Sequence, residues 1–217
     1  MNLSSSTAIR VVSDSSTVGQ QKPVELSDNN DTKVNERDNM KPYSITKDTP
    51  YYFCTDTIVG WQCVFISMPF FEAIIESLKY CQREKGLLVH GYVIMPNHIH
   101  TIVSTLNGNL SDILRDYKRY TSVSISDLLK EKNNSRLLNY FSTAAERIGR
   151  GNNYKIWQSG SHPEAIISNE FFIQKLNYIH ANPVRKGFVE RDEHWMFSSA
   201  RNYILDDHSI LNIDLIQ

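Results

Sequence analysis

Residues 95–103 read Met-Pro-Asn-His-Ile-His-Thr-Ile-Val and place two histidines two positions apart within a largely β-branched run. Because side chains alternate between the faces of a strand, His98 and His100 point to the same face. Two imidazoles side by side can bind one metal ion, whereas without a metal they would repel each other once protonated. The stretch therefore predicts a strand with a metal-binding pair; an exposed, solvated His-x-His face is the alternative.

The residues before this pair indicate a hairpin. Residues 87–95, Leu-Leu-Val-His-Gly-Tyr-Val-Ile-Met, form an apolar run typical of a buried strand, and Pro96 and Asn97 are turn residues. The histidines then begin a second, mostly apolar strand, which we expect to lie beside the first in the interior of a sheet. A polar pair buried there needs a partner, which favours the metal-binding interpretation.

Three further segments define the fold class. Residues 51–58 are β-favouring. Residues 68–84 have apolar side chains at a period of about 3.6 and predict a helix, and residues 110–129 predict a second helix. A strand, a helix, two strands and a helix make most of a ferredoxin-like unit. We expect an α+β domain with a ferredoxin-like βαββαβ core, an antiparallel sheet with helices on one face, and C-terminal helical additions.

The segments after residue 129 are less regular. Residues 130–154 are polar and are expected to form an insertion or lid with a short helix over residues 137–148. Residues 170–181 have an apolar stripe and predict the last strong helix, which Pro183 ends.

The first forty residues differ in composition from the rest. Residues 1–40 are rich in Ser, Asn, Asp, Thr and Gln and are predicted to be a disordered tail. The chain as a whole is 41% hydrophobic, which is enough for a core, and it has no visible repeats. We therefore expect residues 41–217 to form a single domain. Both Met1 and Met40 remain possible natural starts.

Charge, cysteine content and hydropathy restrict the function classes. Residues 1–40 hold four basic and six acidic residues, so the remainder is close to neutral, which argues against broad non-specific nucleic-acid binding but allows a local basic groove. The three cysteines lack the paired spacing of a zinc or redox motif and suggest reduced thiols. No apolar run approaches the roughly 20 residues of a membrane span. We expect a soluble, cytoplasmic protein.

Four segments resemble those of a known family. Residues 92–100, Tyr-Val-Ile-Met-Pro-Asn-His-Ile-His, look like the His-hydrophobic-His strand of single-tyrosine transposases of the HUH endonuclease superfamily. Three later segments resemble the corresponding segments of REP-associated tyrosine transposases. They are residues 157–158 (Trp-Gln), 178–187 (Tyr-Ile-His-Ala-Asn-Pro-Val-Arg-Lys-Gly) and 195–200 (Trp-Met-Phe-Ser-Ser-Ala). The resemblance implies that residues 41–217 form one HUH transposase-like catalytic domain.

The resemblance also implies roles for individual residues. Tyr178 would be the nucleophile, and Asn182 would be a third metal ligand beside His98 and His100. Tyr178 and Asn182 are four residues apart and so share a face of a helix. Read without the family, a tyrosine such as Tyr178 is more often a packed amphipathic residue than a nucleophile. Tyr120, which has basic neighbours, is the leading rival nucleophile.

The implied activity is that of a transposase that nicks and rejoins single-stranded DNA. The phenolic oxygen attacks a phosphodiester and gives a 5′-phosphotyrosine and a free 3′-hydroxyl. An unperturbed tyrosine has a pKa of about 10, so a metal is expected to help by polarising the phosphate. Mg²⁺ and Mn²⁺ are both expected to work.

The implied partner is single-stranded or hairpin DNA, such as a repeated extragenic palindrome, with no membrane and no small-molecule substrate. The sequence leaves monomer and homodimer open. The candidates for DNA contact are Arg115, Lys118, Arg119, Arg185, Lys186 and Trp157. Each basic cluster is also what a solvated face would carry, and Trp157 is equally typical of a core. His162 lies in a loop and is a candidate for phosphate contact or proton transfer, or is only part of a turn.

Three other functions fit some of the same residues. A rolling-circle replication initiator or relaxase-like nickase shares the two-histidine strand and the tyrosine chemistry. A domesticated protein could bind hairpin DNA without cleaving it, although that function would not need His98, His100, Tyr178 and Asn182 together. An unrelated metal-dependent hydrolase would use the histidines and leave Tyr178 idle.

Overall fold

The computed structural model describes residues 51–106, 109–147, 149, 153–160 and 163–215. These residues all belong to one compact unit, Pro42–Gln217. The tail predicted for residues 1–40 lies outside the described residues, so its disorder stays a prediction.

Four strands form one antiparallel sheet in the spatial order β2-β3-β1-β4. They are β1 (Tyr51–Thr57), β2 (Leu87–Met95), β3 (His98–Thr105) and β4 (Glu164–Ile166). β2 and β3 are the predicted hairpin, with Met95 opposite His98. β1 pairs with the other edge of β3 and places Thr55 opposite His100. The α+β class and the antiparallel sheet are confirmed, and the strand that carries the histidines is internal.

Two helices, α1 (Met68–Lys85) and α2 (Leu110–Glu131), cover one face of this sheet. α1 has a proline in its first turn and ends at Gly86, whose φ of 68° is the left-handed conformation common after a helix. The apolar sides of both helices pack against Cys54, Ile99 and Val103 in the main core. Since side chains alternate along β3, His98 and His100 point away from this core.

Another helix, α4 (Asn169–His180), covers the opposite face and is the predicted C-terminal addition. The Ser168 hydroxyl caps its start by accepting a hydrogen bond from the Phe171 amide at 3.1 Å. α4 approaches β2 closely because residue 91 is glycine. A Cβ there would lie 2.8 Å from Leu176 Cδ1 and 3.1 Å from Ile179 Cδ1.

The backbone stays nearly helical after α4 ends. Ala181 keeps a helical backbone with φ −73° and ψ −8°, and α5 (Asn182–Arg185) follows directly. The side chains of Tyr178, Asn182 and Arg185 therefore lie on the same side, over the sheet face that carries His98 and His100.

The predicted insertion contains α3 (Ser135–Glu146), which begins two residues earlier than the sequence indicated. Asn134 caps it by accepting a hydrogen bond from the Leu137 amide at 3.1 Å. A short helix, α6 (Ala200–Leu205), completes the described fold. Within the described part of the chain, no helix is both long and apolar enough to cross a bilayer.

Candidate catalytic cleft

A cleft of about 510 Å³ opens where α4 and α5 pass over the face of the sheet that carries the two histidines. The strands contribute Phe53, Thr55, His98 and His100 to its lining, and a turn after β1 contributes Trp61. The helices contribute Phe171, Gln174, Lys175, Tyr178, Asn182, Arg185 and Lys186. Of the described residues that line the cleft, none is Asp or Glu, and three are Lys or Arg.

The two histidine rings lie in contact on this face. Their ring centroids are 4.8 Å apart and the planes are inclined by 72°. Phe53 stacks on the His100 ring at 5.3 Å, and Trp61 meets the His98 ring at 5.8 Å. These contacts bury both histidines while leaving their edges toward the cleft.

Hydrogen bonds fix the orientation of each imidazole. Nδ1 of His98 lies 2.7 Å from Asn97 Oδ1. The Asn97 amide nitrogen donates to the Trp61 carbonyl at 3.3 Å, so the oxygen must be the atom that faces His98. Nδ1 of His98 therefore carries the proton and donates it. Nδ1 of His100 lies 2.9 Å from Thr55 Oγ1.

This arrangement suits metal binding. With the proton on Nδ1, the Nε2 lone pair is left for a metal, the pattern in which an outer hydrogen bond orients a ligating histidine. Burial, then the charge of Lys186, lowers the pKa of His98 to about 4. Burial, helped by nearby positive charges, lowers the pKa of His100 to about 3. Both rings are therefore neutral at neutral pH, which is the form that ligates metals.

The third predicted ligand, Asn182, is buried and lines the same cleft. Two imidazoles and an amide oxygen are a donor set that suits Mn²⁺ and related divalent ions, and that leaves positions open for a substrate. The described residues hold no cluster of three His, Cys, Asp or Glu side chains that would make a closed metal site.

The predicted nucleophile lies against the histidines. The Tyr178 ring centroid is 5.3 Å from that of His100 and 6.1 Å from that of Phe53. Its side chain is 37% exposed, so the phenol reaches solvent from the cleft. The structure thus brings together His98, His100, Tyr178 and Asn182, the four residues that the family resemblance had grouped.

Two cations of the cleft lie over aromatic side chains of its lining. The Arg185 guanidinium carbon lies 5.0 Å from the centre of the Tyr178 ring. The Lys175 ammonium lies over the Phe53 ring at 4.4 Å and pairs with Glu164 at 2.7 Å. Together with Lys186, these side chains make the cleft suitable for an anion such as a phosphodiester.

Three of the proposed DNA contacts lie elsewhere. Arg115, Lys118 and Arg119 are on α2, which covers the other face of the sheet. Lys118 pairs at 2.6 Å with the buried Asp56, and Arg115 pairs with Asp112 on its own helix. These residues are not part of the cleft, and a role in binding DNA stays a prediction.

The remaining candidates are also apart from the cleft. Trp157 is a core residue, because its indole packs 6.1 Å from Phe65 and donates a hydrogen bond to Thr121 Oγ1 at 3.1 Å. This burial, with the residue only 7% exposed, argues against base stacking on Trp157, and its contact with DNA stays a prediction. Tyr120 is 60% exposed on α2 and does not line the cleft. His162 lies outside the described residues.

Sequence reasoning missed several residues that line the cleft. Gln174 and Lys175 precede Tyr178 by four and three positions, so helical spacing alone places them on its face. Thr55 could have been found only from the pairing register of β1 with β3. Trp61 gave no periodic signal, because it lies in a turn of residues 59–61.

No known family model matches the sequence, and no curated protein matches it. Among solved structures, that of a REP-associated tyrosine transposase bound to a REP hairpin matches with a TM-score of 0.49 and 19% sequence identity, covering 81% of this chain and 99% of that chain.

Proposed function

We propose that this chain is a metal-dependent endonuclease and strand transferase that acts on single-stranded DNA beside a hairpin, with Tyr178 as its nucleophile. The observation that carries the proposal is the meeting of Tyr178, His98, His100 and Asn182 in one cleft lined by cations. The activity is that of a transposase of the REP-associated tyrosine type, which the four sequence segments also resemble.

The covalent step exchanges one phosphate ester bond for another. The Tyr178 oxygen forms a bond to phosphorus as the bond from phosphorus to the 3′ oxygen breaks, and the proton lost by the phenol is balanced by the one that the 3′ oxygen gains. The products are a 5′-phosphotyrosine and a free 3′-hydroxyl. The phosphotyrosine ester keeps the bond energy for rejoining, so the same residues serve cleavage and strand transfer.

His98, His100 and Asn182 would hold a divalent ion, Mg²⁺ or Mn²⁺. Such an ion polarises the phosphoryl group and stabilises charge on the leaving 3′ oxygen, an effect typically worth several kcal/mol. Asn97 and Thr55 orient the two imidazoles through the Nδ1 contacts at 2.7 and 2.9 Å. The neutral state of both rings keeps them ready to ligate at physiological pH.

The cations bind and orient the DNA backbone. Lys186 acts on His98 through its charge, and Lys175 and Arg185 act on His100, so all three positive charges lie near the proposed metal position. Their number is small, which suits a local groove on a chain of near-neutral charge.

A labelled single-stranded hairpin from the flanks of the gene, incubated with the protein and Mn²⁺ or Mg²⁺, tests this function. Denaturing electrophoresis should show a metal-dependent protein–DNA adduct that Tyr178→Phe abolishes and Tyr120→Phe preserves. Hairpin binding with no adduct in either metal would favour a binding protein without cleavage. Strand cleavage that survives Tyr178→Phe would favour a metal-dependent hydrolase.

A further inference from the structure

The largest exposed aromatic surface of the cleft belongs to Trp61. Its side chain is 58% exposed, whereas the other two tryptophans, Trp157 and Trp195, are buried or half-buried. Its ring meets the His98 ring edge to face, with centroids 5.8 Å apart. One side of the indole therefore contacts the proposed metal site, and much of the rest is open to solvent.

The backbone holds Trp61 in a conformation that costs free energy. Its φ is 55°, in the left-handed region that a bulky residue rarely adopts, and Gly60 before it has φ 62°. Such a conformation is strained and persists only where neighbouring structure enforces it. A packing role does not explain this cost, because most of the ring is exposed.

Three contacts enforce the position of this turn. The Trp61 amide donates to the Ile58 carbonyl at 2.9 Å, and the Trp61 carbonyl accepts from the Asn97 side chain at 3.3 Å. Tyr140 of α3 lies so close to Gly60 that a Cβ there would be 1.9 Å from its hydroxyl oxygen. The indole is therefore presented at the cleft by elements from three parts of the chain.

We propose that Trp61 is the platform on which an unpaired nucleobase of the DNA stacks, next to the phosphate bound by the cations. The proposal rests on the proposed function and names the part of the substrate that this side of the cleft recognises. An exposed aromatic face beside a cationic groove is the arrangement by which proteins bind single strands, since every base has a face to stack. A base within a duplex already stacks on its neighbours, so Trp61 selects single-stranded DNA at the cleavage position.

An abasic scan tests this platform. Single-stranded oligonucleotides from the hairpin flank, each lacking one base, are titrated by fluorescence anisotropy against the Tyr178→Phe protein, so that no cleavage intervenes. One position should lose about tenfold in affinity when its base is removed, as expected for the loss of one stacked base. The Tyr178→Phe/Trp61→Asn protein should bind the intact oligonucleotide about tenfold more weakly than the Tyr178→Phe protein does. Removal of the base at that position should then no longer change the affinity.

Asn is chosen because it tolerates the left-handed backbone, so the ring is removed without unfolding the turn. Trp61→Phe should keep part of the affinity, since it retains a smaller ring. Tyr80→Ala is the matched control, because it removes a 50% exposed aromatic side chain from α1, on the sheet face opposite the cleft. It should leave the affinity at every abasic position unchanged.

The outcomes separate this proposal from the proposed reaction. An abasic profile that is the same with and without the Trp61 ring would overturn the platform, even if wild-type protein forms the Tyr178 adduct. A Trp61-dependent position in a protein that forms no adduct would uphold the platform and contradict the reaction. Absence of any single-strand binding would overturn both.

Discussion

The Arg185 guanidinium lies over the ring of Tyr178, with 5.0 Å between its central carbon and the ring centroid. The two residues are seven positions apart, about two helical turns, and the αR backbone of Ala181 between α4 and α5 keeps them on one side. A cation over an aromatic face is attracted to the ring and resists its rotation. Arg185 therefore holds the ring of the proposed nucleophile in place.

Removal of this cation should slow the first chemical step. At saturating DNA, Arg185→Ala should lower the single-turnover rate of adduct formation about 3- to 30-fold, the range that cation–π contacts allow, and Arg185→Lys should lower it less. Arg83→Ala is the matched control, because Arg83 lies 5.9 Å from the ring of Tyr80 away from the cleft. An unchanged rate for Arg185→Ala would contradict the positioning role.

The hydrogen bond between Thr55 and His100 should control metal affinity. Thr55→Val keeps the shape of the side chain but removes the oxygen that lies 2.9 Å from His100 Nδ1. Loss of such an outer partner typically weakens metal binding about 10- to 100-fold, because the ring is no longer held in the ligating orientation. Calorimetric titration of Mn²⁺ into DNA-free protein measures this effect. Thr143→Val, on α3 and away from the cleft, should bind Mn²⁺ as wild type does. Equal losses in both variants would refute a specific role for Thr55.

Gly91 should be needed for the close approach of α4. Gly91→Ala would press its methyl group against the buried side chains of Leu176 and Ile179, at 2.8 and 3.1 Å. Overpacking of this kind costs about 1–3 kcal/mol of unfolding free energy. Urea denaturation measures the loss. In the double variant Gly91→Ala/Leu176→Ala the loss should be smaller than the sum of the single losses, and simple additivity would show that no clash exists.

His90 should make the fold sensitive to mild acid. Burial lowers its pKa, and Nδ1 lies 2.6 Å from the Asp214 carbonyl oxygen while Nε2 lies 2.7 Å from Ser104 Oγ. The unfolded chain, with a histidine pKa of about 6.5, then binds a proton more readily than the folded chain, so unfolding free energy falls as the pH drops below about 6.5. His98 and His100, whose pKa values are also lowered, act in the same direction.

Urea midpoints measured from about pH 7.5 to pH 5 test this sign. His90→Gln should lower the overall stability but make its decline toward pH 5 shallower, since one proton-linked group is gone. A decline as steep as that of wild type would mean that His90 does not contribute.

The parts of the fold that the sequence predicts are those with a strong local signal. Residues 87–105 combine two apolar runs with a Pro-Asn turn, and the structure has the hairpin at those positions. The pairing of Thr55 with His100 depends on a register across 45 residues, which no local pattern encodes. β4 spans only Glu164–Ile166, too short for a periodic signal.

The same distinction applies to the site. His98 and His100 share a face because of a spacing of two, and Tyr178 and Asn182 because of a spacing of four, so local periodicity grouped each pair. Which basic residues join them depends on which face of the sheet each helix covers. The cations of α2 lie on the opposite side of the sheet from Arg185, and Lys118 pairs there with Asp56.

Mapping the DNA attachment site tests the central claim most directly. The adduct formed with hairpin DNA and Mn²⁺ is digested with trypsin and nuclease, and the modified peptide is sequenced by mass spectrometry. The account predicts a nucleotide joined through its 5′ phosphate to Tyr178. A nucleotide on Tyr120 or another side chain, or a cleaved strand with no nucleotide on the protein, would contradict it.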